Sequence, residues 1–232
     1  MKIFVAGGTG AIGRPLIAEL LAKGHALVAL TRSPERAQAL VEQGIEPAIA
    51  DVFDADAVKA VVSRAGPEIV IEQLTALPRT YTRESMNAAA ALNDRIRLEG
   101  GSNVLVAAQA AGVRRYLRQS VAFYAIPGPQ LADEDTPMAF DASPAVAAGA
   151  REMTELEHRL LKNPNLEGIA CVMASSMDPA PGSTPTAMLP DRCDSSSFRS
   201  SGMAEAFGRG YTLRTRRLPP LQRRSKAILG FI

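Results

Sequence analysis

At 232 residues the chain has room for one α/β domain and a small second lobe, but it is short for two full domains. Its 26 basic residues against 24 acidic ones leave a formal charge of +2, which provides no broad field for nucleic acid or an anionic membrane, so the expected partner is small. The two cysteines, Cys171 and Cys193, lack the spacing of a zinc site or a disulfide framework, and glycines cut the apolar run 3–6 well short of a signal core or a membrane span. A cytoplasmic setting is expected, with neither nucleic acid nor membrane as partner.

Residues 3–6 read as a fully buried strand, followed by a glycine cluster that opens a helix over about 11–23, closed by Gly24. Residues 26–30 form a second apolar strand. Ser33 then offers an N-cap and Pro34 a first helical position, with Gly44 ending that helix. A short strand near 47–50, a helix capped by Asp54 and ending near Gly66, and an apolar strand at 69–71 continue the alternation. Helical sequence runs from about 83 to 111, with Gly100 and Gly101 as a candidate break, and leads into a strand around 116–118. A helix at 147–161 and a strand at 168–171 complete the pattern. Strands alternating with helices at this spacing predict an α/β fold of Rossmann type, a doubly wound parallel sheet with helices on both faces.

The glycines between the first strand and helix carry the functional signal. Gly7, Gly10 and Gly13 stand where the chain must turn tightly and let a pyrophosphate reach its amides, and the helix beyond presents unpaired N–H groups and the positive end of its dipole. Thr9, Ala11 and Ile12 complete that turn. At the end of the second strand an acidic residue would bond the adenosine ribose, whereas this chain has Thr31, Arg32 and Ser33. A guanidinium there pairs with a 2′-phosphate, favouring NADP over NAD, against the alternative of a solvated arginine. Asp51 could accept from the adenine amino group or serve only loop and cap chemistry beside Asp54.

The string Gly7-Gly8-Thr9-Gly10-Ala11-Ile12-Gly13, with Asp51-Val52 and the strand-end Leu74-Thr75-Ala76, resembles the extended and atypical short-chain dehydrogenase/reductase superfamily, in particular the NAD-dependent epimerase/dehydratase family. The likeness extends to Glu99-Gly100-Gly101-Ser102-Asn103-Val104-Leu105, Ala110-Ala111-Gly112-Val113-Arg114-Arg115 and Gln119-Ser120, and spans residues 1 to about 170. It implies an oxidoreductase or epimerase acting on a carbonyl, hydroxyl or sugar-nucleotide substrate, and family members often pair as homodimers. Cofactor contacts would come from Gly7, Thr9, Gly10, Ala11, Ile12, Gly13, Arg32, Asp51, Val52, Leu74 and Thr75, and Ser120 would hold the reacting oxygen unless it is a strand-end hydrogen-bonder.

The resemblance also implies a Tyr and a Lys one helical turn apart, which share a face so that the ammonium lowers the phenol pKa. Here the matching positions are Gly149 and Met153 if Glu157 sets the register, or Ala147 and Arg151 if Glu155 does. The pair is missing in both, and Tyr124 lies near Ser120 without matching the proton donor's position. Arg151 reads as a surface helix residue, with an electrostatic stand-in for the missing pair as the alternative, and His25 and His158 as ordinary surface positions. A dinucleotide-holding protein without turnover, or an inactive truncated member, therefore stands as the alternative.

Beyond Cys171 no sustained period of 2 or 3.6 survives. Residues 171–232 are expected as an irregular tail, disordered or out of frame, in place of a substrate lobe: Val172-Met173-Ala174 and Ser176 to Ala180 permit Tyr-Gly and Tyr-Gly-Pro-Gly one base earlier, and Thr215 to Pro220 and Leu229 to Ile232 permit further family strings with the same offset.

Overall fold

The computed structural model describes residues 1–10, 12–78, 80, 82–121, 124–126, 136–173 and 213–216. Its centre is a seven-stranded sheet built from β1 (Lys2–Ala6), β2 (Ala26–Thr31), β3 (Glu46–Ile49), β4 (Ile69–Glu72), β5 (Arg115–Val121), β6 (Glu167–Met173) and β7 (Leu213–Arg216). The spatial order is β3-β2-β1-β4-β5-β6-β7, with every pairing parallel except the last. Strand order reverses direction between β1 and β4, which places a crevice outside their carboxyl ends, where open α/β sheets bind ligands.

Helices cover both faces because the strands are apolar on both. On one side Ile3, Val5, Leu27, Ile69 and Ile71 pack on Leu16, Ile17 and Leu20 of α1 (Gly13–Ala22) and Leu40 of α2 (Pro34–Val41). On the other, Phe4, Val28, Val70 and Tyr116 pack on α3 (Ala55–Ala65) and, beyond α4 in the chain, on α5 (Gly101–Ala110), through Val58, Val61, Val62, Val104 and Ala108. The remaining helices are α4 (Arg83–Arg95) and α6 (Pro144–Leu161).

The expected start and stop signals hold. Ser33 caps α2 by accepting from the Arg36 amide at 3.2 Å, and Asp54 caps α3 by accepting from the Ala57 amide at 2.9 Å. Gly24, Gly44 and Gly66 follow helices with φ of 76°, 76° and 54°.

One expectation fails. Gly100 and Gly101 do not break the helix, because α4 passes into a π-helical turn (Ile96–Gly100) and on into α5 without leaving helical backbone angles. The glycines serve close packing instead. A Cβ at Gly100 would lie 2.9 Å from Val52 Cγ1, and one at Gly101 would lie 2.5 Å from Arg118 Nη2 and 2.6 Å from Glu72 Oε1.

Most of the irregular stretch expected at 171–232 lies outside the described residues. Within it, 171–173 complete β6, and Leu213–Arg216 pairs antiparallel with Ala170 to Met173. Ala11, expected in the glycine turn, also lies outside the described residues.

Asp54→Ala should lower stability by about 1 kcal/mol, the usual cost of losing an N-cap acceptor. Urea denaturation followed by circular dichroism checks this, and an unchanged midpoint would show that the cap contributes nothing.

Candidate dinucleotide site

The β1–α1 turn is shaped by what its glycines lack. Gly7 has φ +90°, and a Cβ there would sit 2.3 Å from the Gln73 carbonyl oxygen, so the turn can rest on the end of β4 only without a side chain. At Gly13 a Cβ would lie 2.2 Å from the Gly7 carbonyl oxygen and 2.6 Å from Gly8 Cα, so α1 approaches the turn backbone to backbone. Gly10 is exposed and less crowded: a Cβ there would come no closer than 3.3 Å, to the Gly7 carbonyl oxygen. The Gly10 amide donates to Gly7 O at 3.1 Å, and the Arg14 side chain donates to Thr9 O at 3.1 Å, which closes the turn. Ile12 precedes α1 and no side chain among the described residues caps that helix, which leaves its positive end to an anion.

The other expected contacts gather along the carboxyl edge. Arg32 is exposed, past the end of β2, and makes no hydrogen bond or ion pair with the described residues. Asp51 is exposed too, with Oδ1 accepting from the Phe53 amide at 3.0 Å in an Asx turn. Val52 presses on Gly100, and its carbonyl accepts from Asn103 Nδ2 at 3.0 Å. Leu74 and Thr75 follow β4, and the next residue, Ala76, donates its amide to Asn93 Oδ1 at 3.0 Å. Asn93 and Asn103 thus pin the two loops from the long helix, a role that sequence reasoning missed.

Also missed was a buried polar row on the α5 side of β5. Tyr116 donates to Glu72 Oε2 at 2.6 Å, and Arg118 Nη2 lies 3.2 Å from Glu72 Oε1 and donates to Arg97 O at 2.7 Å. Glu72 and Arg118 are 3% and 5% exposed, so the ion pair is fully desolvated. Burial and the adjacent Glu72 charge push the Tyr116 phenol well above its ordinary value, so it remains a donor. The legible signal was a Glu ending an otherwise apolar strand opposite an Arg in another.

Ser120 belongs to the same row. Its hydroxyl donates to Glu157 Oε1 of α6, and both residues are buried. Gly149 and Met153 occupy the face of α6 nearest this region: Met153 is buried, and Gly149 lies under the Tyr124 ring. Arg151 is exposed and donates to the Phe140 carbonyl at 3.3 Å. His25 is half-buried rather than a plain surface residue, and burial lowers its pKa. Burial holds the Cys171 thiol up at about 12, so it is no nucleophile. No metal-ligating cluster occurs among the described residues.

A narrow cavity opens at the carboxyl ends of β4 and β5, lined by Glu72, Leu74, Thr75, Arg97, Gln119 and Met153 among others. Beside it, burial and then Asp94 raise the Glu152 carboxyl, against the pull of Arg97 and Arg118.

This is the architecture of a Rossmann-type dinucleotide-binding domain. The chain belongs to the family described as NAD(P)H-binding, whose model matches residues 7–163, and its cofactor is NAD(P). It is 41% identical over 184 residues to a 3-diazoavenalumate denitrifying reductase of a Streptomyces species, covering 78% of this chain and 58% of the relative. It is 29% identical over 158 residues to a 4-hydroxy-2-methyl-3-oxo-4-farnesyl-3,4-dihydroquinoline-1-oxide ketoreductase of Stigmatella aurantiaca, covering 66% and 45%. The chain thus spans about half the length of these curated relatives. The UDP-glucose 4-epimerase of Thermus thermophilus, solved with NAD, shares the fold at 24% identity and a TM-score of 0.55 over 69% of this chain and 50% of that one. No helix among the described residues is long and apolar enough to cross a membrane.

Glu72→Ala should destabilise the fold by about 3–5 kcal/mol in denaturant titration, because it strands the buried Arg118 charge. Glu152→Gln should change how stability depends on pH. Its native carboxyl binds a proton more tightly than the unfolded one, so wild-type stability falls as pH rises from the ordinary value of 4.5 through the raised native one. The variant should lose that decline, and parallel curves for the two proteins would sink the assignment.

Proposed function

We propose that the chain binds NADP in preference to NAD and uses the reduced form as a hydride donor to a carbonyl-type small molecule. The observation that carries this is the β1–α1 turn, whose Gly7 and Gly13 have backbone where a Cβ would stand. A diphosphate can therefore lie against main-chain amides at the uncapped start of α1. In this reading Gly7, Thr9, Gly10, Ala11, Ile12 and Gly13 hold the pyrophosphate, and Arg32 takes the 2′-phosphate. Asp51 and Val52 border the adenine, and Leu74 and Thr75 border the nicotinamide half. When bound, the cofactor supplies or accepts a hydride at its nicotinamide ring.

Reduction is favoured over epimerisation because both curated relatives named above are reductases, while the epimerase likeness lies in the fold. Ser120 can hold a substrate carbonyl by turning its hydroxyl proton from Glu157 to the carbonyl oxygen. The cytoplasm is the proposed setting, and a homodimer the proposed assembly.

A second reading, a protein that holds the dinucleotide without turnover, is favoured by two observations. The Ser120 hydroxyl is already committed to Glu157 in a buried contact, and α6 has neither Tyr nor Lys at the expected positions. NADPH consumption across a panel of ketones, aldehydes and sugar nucleotides separates the two: oxidation with any of them supports the reductase, and saturable binding without oxidation supports the second reading.

For the cofactor choice, Arg32→Ala should weaken NADPH binding roughly tenfold to a hundredfold, the loss of a charge-assisted hydrogen bond, and leave NADH binding unchanged in calorimetric titration. Equal losses for both nucleotides would defeat the 2′-phosphate assignment.

A further inference from the structure

Building on the reductase reading, we propose that Tyr124 is the proton donor of the reaction, delivered from the loop after β5 onto the bare backbone of α6 at Gly149. A Cβ at residue 149 would lie 2.3 Å from Tyr124 Cζ and 2.5 Å from its hydroxyl oxygen. The phenol therefore occupies the space that any larger residue at this helix position would fill.

Residues 124–126 are tied to 137–139. The Tyr124 carbonyl accepts from the Ala139 amide at 2.8 Å, the Ile126 amide donates to Pro137 O at 2.9 Å, and Ala125 forms a β-bridge with Met138. The ring packs with Val121 against Met138, Ala150, Met153 and Leu156. Val121, Met153 and Leu156 also line the cavity at the carboxyl ends of β4 and β5, so the ring packs on residues that wall the crevice in which this class of sheet holds its ligands.

The surroundings suit acid–base work. Burial raises the Tyr124 phenol, Arg97 lowers it, and Glu152 and Asp94 raise it, so four titratable or charged groups from the long helix, the loop and α6 act on one another here. Gln119 Oε1 and Glu152 Oε1 are buried acceptors with no hydrogen-bond partner among the described residues, which is unusual unless a ligand supplies donors. Arg97 stands in the cavity wall and can stabilise a phenolate.

In the proposed step the carbonyl carbon takes a hydride, with its electron pair, from the reduced nicotinamide. The C=O π pair moves onto oxygen, and that oxygen takes the Tyr124 proton. The phenolate, held by Arg97, regains a proton from solvent, leaving an alcohol and the oxidised nucleotide.

The test reads Tyr124 directly. The full chain, with its four tyrosines labelled with carbon-13 at Cζ, is titrated with NADP and separately with adenosine 2′,5′-bisphosphate, and Tyr124→Phe identifies the resonance. The Tyr124 signal should move with NADP and stay in place with the bisphosphate, which lacks the nicotinamide. If NADP binds and the signal does not move, the proposal is overturned while the reductase reading stands; if no nucleotide binds, the reading beneath it fails. On any carbonyl that wild type reduces, Tyr124→Phe should lower kcat by about a hundredfold with NADPH affinity unchanged, and remove a limb of the pH–rate profile. A kcat within about twofold of wild type would overturn it. Gly149→Ala, which favours the helix while displacing the ring, should lower kcat in the same way.

Discussion

Everything at the cofactor end depends on two backbone contacts made without side chains. The turn after β1 sits on the carbonyl of Gln73 through Gly7, and α1 sits on that turn through Gly13. The first contact ties β1 to the end of β4 across the point where strand order reverses, and the second sets how closely the helix approaches. A methyl group at either site would push these pieces apart by about an ångström or more, and the amides of the turn would no longer converge. The four apolar residues of β1 are completely buried, so the strand cannot shift to make room.

A second, polar constraint runs along β5. Tyr116, Arg118 and Ser120 alternate onto one face and meet carboxylates from two other elements, Glu72 of β4 and Glu157 of α6. Desolvating such groups is costly unless each finds a partner, so their positions must satisfy these polar contacts as well as the apolar packing around Tyr116. Arg118 also bonds the Arg97 carbonyl, and so ties the sheet to the π-helical turn between α4 and α5. Gly101 lets that helix close over the ion pair. The row thus links the β4 end, the long helix, the β5 end and α6, which all contribute to the wall of the cavity.

Local signals made much of this legible. The central strands β1, β2 and β4 are short apolar runs, and Ser33, Asp54, Gly24, Gly44 and Gly66 mark helix ends by chemistry that acts within a few residues. The glycine turn was readable for the same reason. The features that escaped were non-local. Gly100 and Gly101 look like helix breakers until Val52 and the Glu72–Arg118 pair, from elsewhere in the chain, are seen to need their bare backbone. Asn93 and Asn103 look like ordinary helix polar residues until the loops that they bind are in place. Tyr124 lay on no periodic element, and only the fold brings its ring over Gly149.

The parallel sheet ends at β6, and an exposed parallel edge invites pairing with another chain. In this molecule Leu213–Arg216 runs antiparallel along Ala170 to Met173 and occupies that edge. The strand therefore completes the sheet, while the cavity lining among the described residues runs from Glu72 to Leu156. The glycine turn, the pinned loops and the buried row also lie before residue 164, inside the span that matches the NAD(P)H-binding family or immediately beside it. Among the described residues, the proposed dinucleotide contacts and the groups around Tyr124 thus come from one stretch of the chain, and β7 joins the sheet through β6.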